Sequence, residues 1–194
     1  MNLETVLSLP EVKPVKKNAL KWTDWLENRV NFYMKDSRLH TVEHCIRVLI
    51  YSLILAEKLN LSEDETEILA LCAVFHDTRR FSDKYDTGHG KRAAEYYKEY
   101  CEENGLNFRP EVYAIMKYHD RNDELGIEKI KENPSLNERT VLLYKAFKDA
   151  DALDRFRLGK NGLDAKRLRN KEALGMYDLA EEIWEKYSNN QKAH

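Results

Sequence analysis

Two stretches, Thr41 to Leu59 and Ile68 to Phe75, constrain this chain more than any other part of it. The first carries Ile, Leu and Val on nearly every face of a helix, so no rotation about its axis leaves a clean solvent side. The second, ILALCAVF, is an unbroken apolar run preceded by Ser62 and Glu65, the S-x-x-E signature of a capping box. Helices that are apolar all round must be covered all round, which predicts an all-α bundle with these two at its centre. The second run then ends in His76-Asp77, two metal-competent side chains at the end of a buried helix. Composition alone predicts fewer than one His-Asp pair, and the chain has two, the other being His119-Asp120. The dipeptide by itself decides nothing.

Periodicity elsewhere is helical nearly throughout. Residues Asn18 to Met34 place Leu20, Trp22, Trp25, Leu26, Val30 and Tyr33 close to helical spacing, whereas the first 16 residues, with Pro10 and Pro14, read as extended or loosely attached. TRRFSDKYDTGHGK reads as a polar loop returning to helix near Lys91, and Lys91 to Cys101 as a surface helix stopped near Gly105. Pro110 suits the first turn of a helix over Glu111 to His119. Asn122 to Asn133 is charged and weakly patterned. Leu136 to Leu158 is a third strongly apolar helix that turns acidic at KDADALDRFR, and Leu163 to Lys186 supplies one or two amphipathic helices. Repeats, low-complexity tracts and strand ladders are absent. The expectation is one domain over residues 1–194, its core about 37–158.

At 194 residues the chain can fill one core without needing two. A 42% apolar, 34% charged composition and a net charge of −2 exclude a disordered chain and the basic excess of a dedicated nucleic-acid binder. The N-terminus shows no signal-peptide pattern and no apolar run approaches a membrane span, so a cytoplasmic protein without membrane partners is expected. Cys45, Cys72 and Cys101 lack zinc-type spacing and read as buried small hydrophobes.

Each of the three apolar helices carries ionisable groups: His44 in the first, His76 and Asp77 at the end of the second, Asp151 in the third. Such groups are costly in apolar surroundings unless paired or metal-bound. One core histidine is ordinarily just hydrogen-bonded, but imidazoles and carboxylates together form a ligand set for a divalent metal.

The three blocks HCIRV (His44 to Val48), FHDTRR (Phe75 to Arg80) and KDADALDRFRL (Lys148 to Leu158) together resemble the HD-domain superfamily of metal-dependent phosphohydrolases. The resemblance spans roughly residues 37–157. It implies His44, His76, Asp77 and Asp151 as ligands of a divalent ion (Mn, Fe, Co, Ni, Zn or Mg), with Asp149 competing for the last place. His89 and His119 stand where some members hold a second ion bridged by Asp77; the residues alone leave open that His89 is exposed and that His119 meets solvent or substrate. The implied catalytic residues are Asp77, orienting the nucleophile, and His89 or His119, supplying a proton.

Around these blocks Arg79, Arg80, Lys91 and Lys148 are candidates for binding an anionic substrate, Arg79 preferred for its nearness to the metal block. His40 is read as lining the pocket or orienting His44, and Arg47 and Asp154 as supports. Arg155 is read as a partner for Asp151 or Asp154, and His194 receives no role. The implied function is hydrolysis of a small phosphorylated metabolite or nucleotide, as a phosphomonoester or phosphodiester. Two alternatives stand beside it: a di-iron oxygenase on the same scaffold, and a non-catalytic nucleotide-binding regulatory module. HDTRR lacks the Glu-Asp pair of alarmone hydrolases, and the chain lacks the GYP segment of cyclic-di-GMP phosphodiesterases. A homo-oligomer is left open, with Trp22, Trp25, Phe32 and Tyr33 available to pack on the core or on another subunit.

Overall fold

The computed structural model describes residues 3–188. They form α1 (Leu3–Leu7), α2 (Lys16–Arg29), α3 (Val42–Lys58), α4 (Glu63–Phe75), α5 (His89–Asn104), α6 (Pro110–Tyr118), α7 (Asp123–Lys131), α8 (Glu138–Leu153), α9 (Lys171–Leu174) and α10 (Tyr177–Ser188). Short 3-10 turns occupy Lys13–Val15, Asp154–Leu158 and Ala165–Arg167, and no strand occurs among the described residues. The expected all-α class is what the chain adopts.

The two apolar runs lie where their composition requires. Every residue of α3 from His44 to Ala56 is buried, as is every residue of α4 from Ile68 to Phe75. The two helices pack on each other, and α8 lies against both. Removing a fully covered side chain such as Leu49 or Ile50 would cost about 2–5 kcal/mol, because the transfer term and the cavity term add. The capping box forms as read. Ser62 Oγ accepts from the Glu65 amide at 3.2 Å, and Glu65 Oε2 accepts from the Ser62 amide at 3.0 Å. All three cysteines are free and buried.

Two local expectations need correction. Residues 3–16 are not loosely attached: they fold into α1 and the Lys13–Val15 turn and bury Val6, Leu7, Leu9, Val12 and Val15. The two prolines punctuate this segment without freeing it, because an apolar residue recurs every few positions and finds cover, in part against α10. The weakly patterned stretch after Asn122 is a helix, α7, capped by Asn122 Oδ1 accepting from the Leu125 amide at 3.0 Å. It needs only Ile130 and Gly126 on its buried face, too few to make a periodic signal. Gly126 is required there, since a Cβ would fall 2.1 Å from the Tyr144 hydroxyl. The aromatic N-terminal helix turns one ring inward, Trp22, whereas Tyr33 lies beyond its end and is 67% exposed. His194 falls outside the described residues.

Candidate metal centre

The His-Asp pair that ends α4 has a local structural reason. Helix C-termini leave backbone carbonyls without partners, and a histidine there can satisfy one. His76, in the C-cap position of α4, turns Nδ1 back onto the Ala73 carbonyl at 3.0 Å. His119, in the C-cap position of α6, does the same to the Met116 carbonyl at 2.7 Å. His89, the first residue of α5, meets the Asp86 carbonyl at 2.7 Å. His44 sits in the first turn of α3, fixed by Thr41 Oγ1 accepting from its amide, and its Nδ1 faces Asp154 Oδ2 at 2.7 Å. Carbonyl and carboxylate oxygens only accept, so each Nδ1 carries its proton and each Nε2 is left as the free donor atom.

Those four Nε2 atoms converge in pairs on one carboxylate. His44 Nε2 and His76 Nε2 lie 3.1 Å apart, and His89 Nε2 and His119 Nε2 2.9 Å apart. Asp77 lies between the pairs. Its Oδ2 is 3.3 Å from His44 Nε2 and 3.7 Å from His76 Nε2, while its Oδ1 is 3.2 Å from His89 Nε2. Two trios result, His44-His76-Asp77 and Asp77-His89-His119, each with ligand atoms within 4.8 Å of one another and all of them buried. Facing imidazole lone pairs at such separations repel unless a cation or a proton lies between them. The donor set therefore fits divalent metal ions: neutral nitrogens held by their far side, a shared carboxylate, and dry walls. Phe147 supplies part of that wall, its ring 5.5 Å from His76 and 5.9 Å from His119.

Electrostatics differ among these groups. Burial, with neighbouring His44, pulls His76 down to about 4, although Asp77 opposes it. Burial, with His89 and His76, pulls His119 down to about 3. Burial acts on His44 and His89 too, and Arg157 and Arg80 push the same way. There the facing carboxylates, Asp154 and Asp77 for His44 and Asp77 for His89, outweigh them and raise both. Burial disfavours the Asp77 anion, but His76, His44 and His89 hold it well below the usual carboxylate range.

The remaining site candidates separate by position. Asp151 stands beside the first trio, Oδ1 3.5 Å from His44 Nε2, with its side chain 34% exposed. Asp149 is turned away and fully buried, accepting from the amides of Arg169 and Asn170 at 2.9 Å each. Arg80 lies in the site: Nη1 is 3.5 Å from Asp77 Oδ1 and 3.2 Å from His89 Nε2. Arg79 does not. Its Nη1 donates to the Asn31 carbonyl and its guanidinium lies 3.2 Å from the Tyr96 ring centre. Sequence nearness misleads here because the turn after α4 sends successive side chains in opposite directions. Lys91 is exposed and lines a separate surface depression with Arg79 and Tyr96. Lys148 is held by Asp123 Oδ1 at 2.7 Å. Arg155 Nε donates to the Gly162 carbonyl at 3.1 Å, and no ion pair within 4.0 Å joins it to Asp151 or Asp154, although the Asp151 charge acts on it from further away. His89 is not in an open loop: it begins α5 and is 7% exposed.

Asp83, Asp120 and Gly90 shape the centre without a sequence signal of their own. Asp83 accepts from His40 Nδ1 at 3.1 Å, leaving His40 Nε2 4.0 Å from Asp77 Oδ2. Asp120, second member of the other His-Asp pair, accepts from the Gly88 amide and so fixes the start of α5. Gly90 lets α5 and α6 touch: a Cβ would meet the Met116 carbonyl at 2.5 Å and His119 Nδ1 at 2.9 Å. Asp154 is clamped by Arg47, whose Nη2 donates at 2.9 Å and whose guanidinium carbon lies 5.3 Å from the Trp184 ring of α10.

A helical scaffold whose buried histidines turn their free nitrogens onto a shared aspartate defines a class of proteins able to hold divalent metal. The family model of the HD domain matches residues 41–155, more than half of the chain, and the chain belongs to that family. Neither the curated proteins nor the solved structures include a match.

Proposed function

We propose that this protein is a metal-dependent phosphohydrolase acting on a small phosphorylated metabolite or nucleotide, as a phosphomonoester or phosphodiester. The observation that carries the reading is the Asp77 carboxylate, one oxygen facing each histidine pair. Such a carboxylate suits two ions placed side by side, the arrangement that serves both ends of a displacement at phosphorus. His44, His76, Asp77 and Asp151 would hold one ion, and Asp77, His89 and His119 a second. A divalent ion in such a place supplies Lewis acidity, lowering the pKa of a bound water and polarising a phosphoryl oxygen.

The chain's own residues contribute the rest. Hydrogen bonds to each Nδ1 hold the imidazoles in place before substrate arrives, so no reorganisation is needed during reaction. Burial keeps His76 and His119 uncharged at neutral pH, which suits ligands and leaves His119 a poor proton donor. Arg80 places a fixed positive charge beside Asp77, where it would stabilise negative charge gathering on phosphate oxygens. No serine or cysteine is needed as a nucleophile.

The test is release of phosphate from nucleotides and phosphomonoesters with Mn²⁺ supplied and oxygen excluded. Loss of several kcal/mol of Lewis-acid stabilisation should slow Asp77→Ala by roughly 10³-fold or more. Absence of release from every compound, with metal bound, would sink the reading. Turnover that requires both iron and oxygen would replace it with the oxygenase.

A further inference from the structure

Between the end of α2 and the start of α3, residues 30–41 form neither helix nor strand, yet they are tied down along their length. The Tyr33 amide donates to the Thr78 carbonyl at 2.9 Å, and Arg79 holds the Asn31 carbonyl from the same turn. Asp83 accepts from the Arg38 amide at 2.9 Å and from the Ser37 hydroxyl, and Arg157 donates to the Leu39 carbonyl at 3.1 Å. Every one of these anchors follows closely on a metal-centre block, Asp77 or Asp154. The segment is thus a wall raised on the metal-bearing turns.

That wall encloses an open groove of about 780 Å³. Ligand pockets commonly measure about 300–1,000 Å³, far more than a lone phosphate needs. Its lining includes His40, whose Nε2 is 4.0 Å from Asp77 Oδ2. Phe32, Met34 and Val42 give it apolar surface, while Lys35, Arg38 and Glu43 line it with charge. Neither the Lys35 nor the Arg38 side chain makes an ion pair among the described residues. A groove of mixed polarity that borders the metal centre through His40 suits a polar organic group carrying one apolar face.

We propose that this groove holds the non-reacting organic portion of the substrate, so that the protein selects phosphate compounds with a nucleoside-sized organic group over small ones. The inference rests on the phosphohydrolase reading only for what sits at the metal end.

The experiment is calorimetric titration of the Mn²⁺-loaded full chain with inorganic phosphate, glycerol phosphate and adenosine monophosphate, alongside hydrolysis of the two esters. Wild type should bind the nucleotide at least about tenfold more tightly than phosphate, from the apolar area covered. Met34→Trp, which fills the groove, should erase that gain while phosphate affinity and metal content stay put; Arg38→Ala should weaken the nucleotide alone. Equal affinities for all three probes, no binding of any, or a Met34→Trp effect that is the same on all three would overturn the groove. Groove-dependent binding without hydrolysis would keep it and remove the hydrolase. Hydrolysis indifferent to ester size and to Met34→Trp would do the reverse.

Discussion

The two histidine pairs around Asp77 look alike in ligand type but are supported differently. On one side His44 is held by a carboxylate, Asp154, which is itself gripped by Arg47 and fully buried. On the other, His89 and His119 each turn Nδ1 onto a backbone carbonyl at 2.7 Å, the nearest carboxylate behind them, Asp120, stands back at 3.7 Å from His89 Nδ1, and Arg80 sits 3.2 Å from His89 Nε2. A carboxylate behind an imidazole strengthens it as a ligand, whereas a guanidinium beside it repels a cation. The His44-His76 side should therefore hold metal tightly, and the His89-His119 side should fill at higher concentration.

The largest expected departure from this asymmetry comes from Asp154→Asn. It keeps the volume but loses the charge behind His44, and should weaken the tight site by about 10–100-fold. Titrating Mn²⁺ against a chelator reads both sites, and equal weakening of both would break the comparison. Arg47→Ala should cost more in folding than in metal affinity, about 3–5 kcal/mol, because the buried Asp154 loses the guanidinium that donates to both its oxygens. Its unfolding midpoint in urea reports that directly.

Next comes Gly90→Ala. Its Cβ meets the carbonyl that orients His119, so it should destabilise the α5–α6 contact by about 1–3 kcal/mol and empty the weak site first. Loss of the tight site before the weak one would contradict the assignment. Arg80→Gln should sharpen the comparison in the opposite direction, raising metal affinity on the His89-His119 side while slowing turnover.

Acid should also act on the metal-free protein. His76 and His119 are depressed to about 4 and about 3 from an ordinary value near 6.5. Between about 6.5 and about 4 the unfolded chain binds protons that these two buried rings refuse. Stability should then fall as pH drops through that window, by at most about 1.4 kcal/mol per unit for each group. His44 and His89, raised above the ordinary value, act oppositely, since their contribution is lost as pH rises. They offset the decline only near the top of the window. Thermal unfolding at a series of pH values, with chelator present, checks it; a midpoint flat from 6.5 to 4 would contradict the burial of these rings. Metal should raise the midpoint and steepen the slope at the upper end, because it keeps protons off the same nitrogens in the folded chain alone.

Much of this was legible along the chain. The apolar runs at Thr41–Leu59 and Ile68–Phe75 gave the centre of the bundle, since helices without a polar face have only one place to go. Ser62 and Glu65 announced their capping box because its geometry spans a single turn. The metal-competent residues could be named from three blocks and two further histidines. Nearness in sequence favours Arg79 where the fold places Arg80, and only the family resemblance ranks Asp151 above Asp149, because neighbours in sequence differ only in which way the backbone turns them.

The sequence by itself determined the fold class, the central helices and the set of side chains able to hold metal, because periodicity, capping and residue chemistry are local properties. Only the tertiary structure decided that Asp77 faces both histidine pairs and that Asp154 stands behind His44. It also decided that residues 30–41 wall a groove beside them. These are contacts between groups up to 118 residues apart. Their distances depend on how α3, α4, α5, α6 and α8 pack, and close packing fixes such distances to fractions of an ångström that no local pattern encodes.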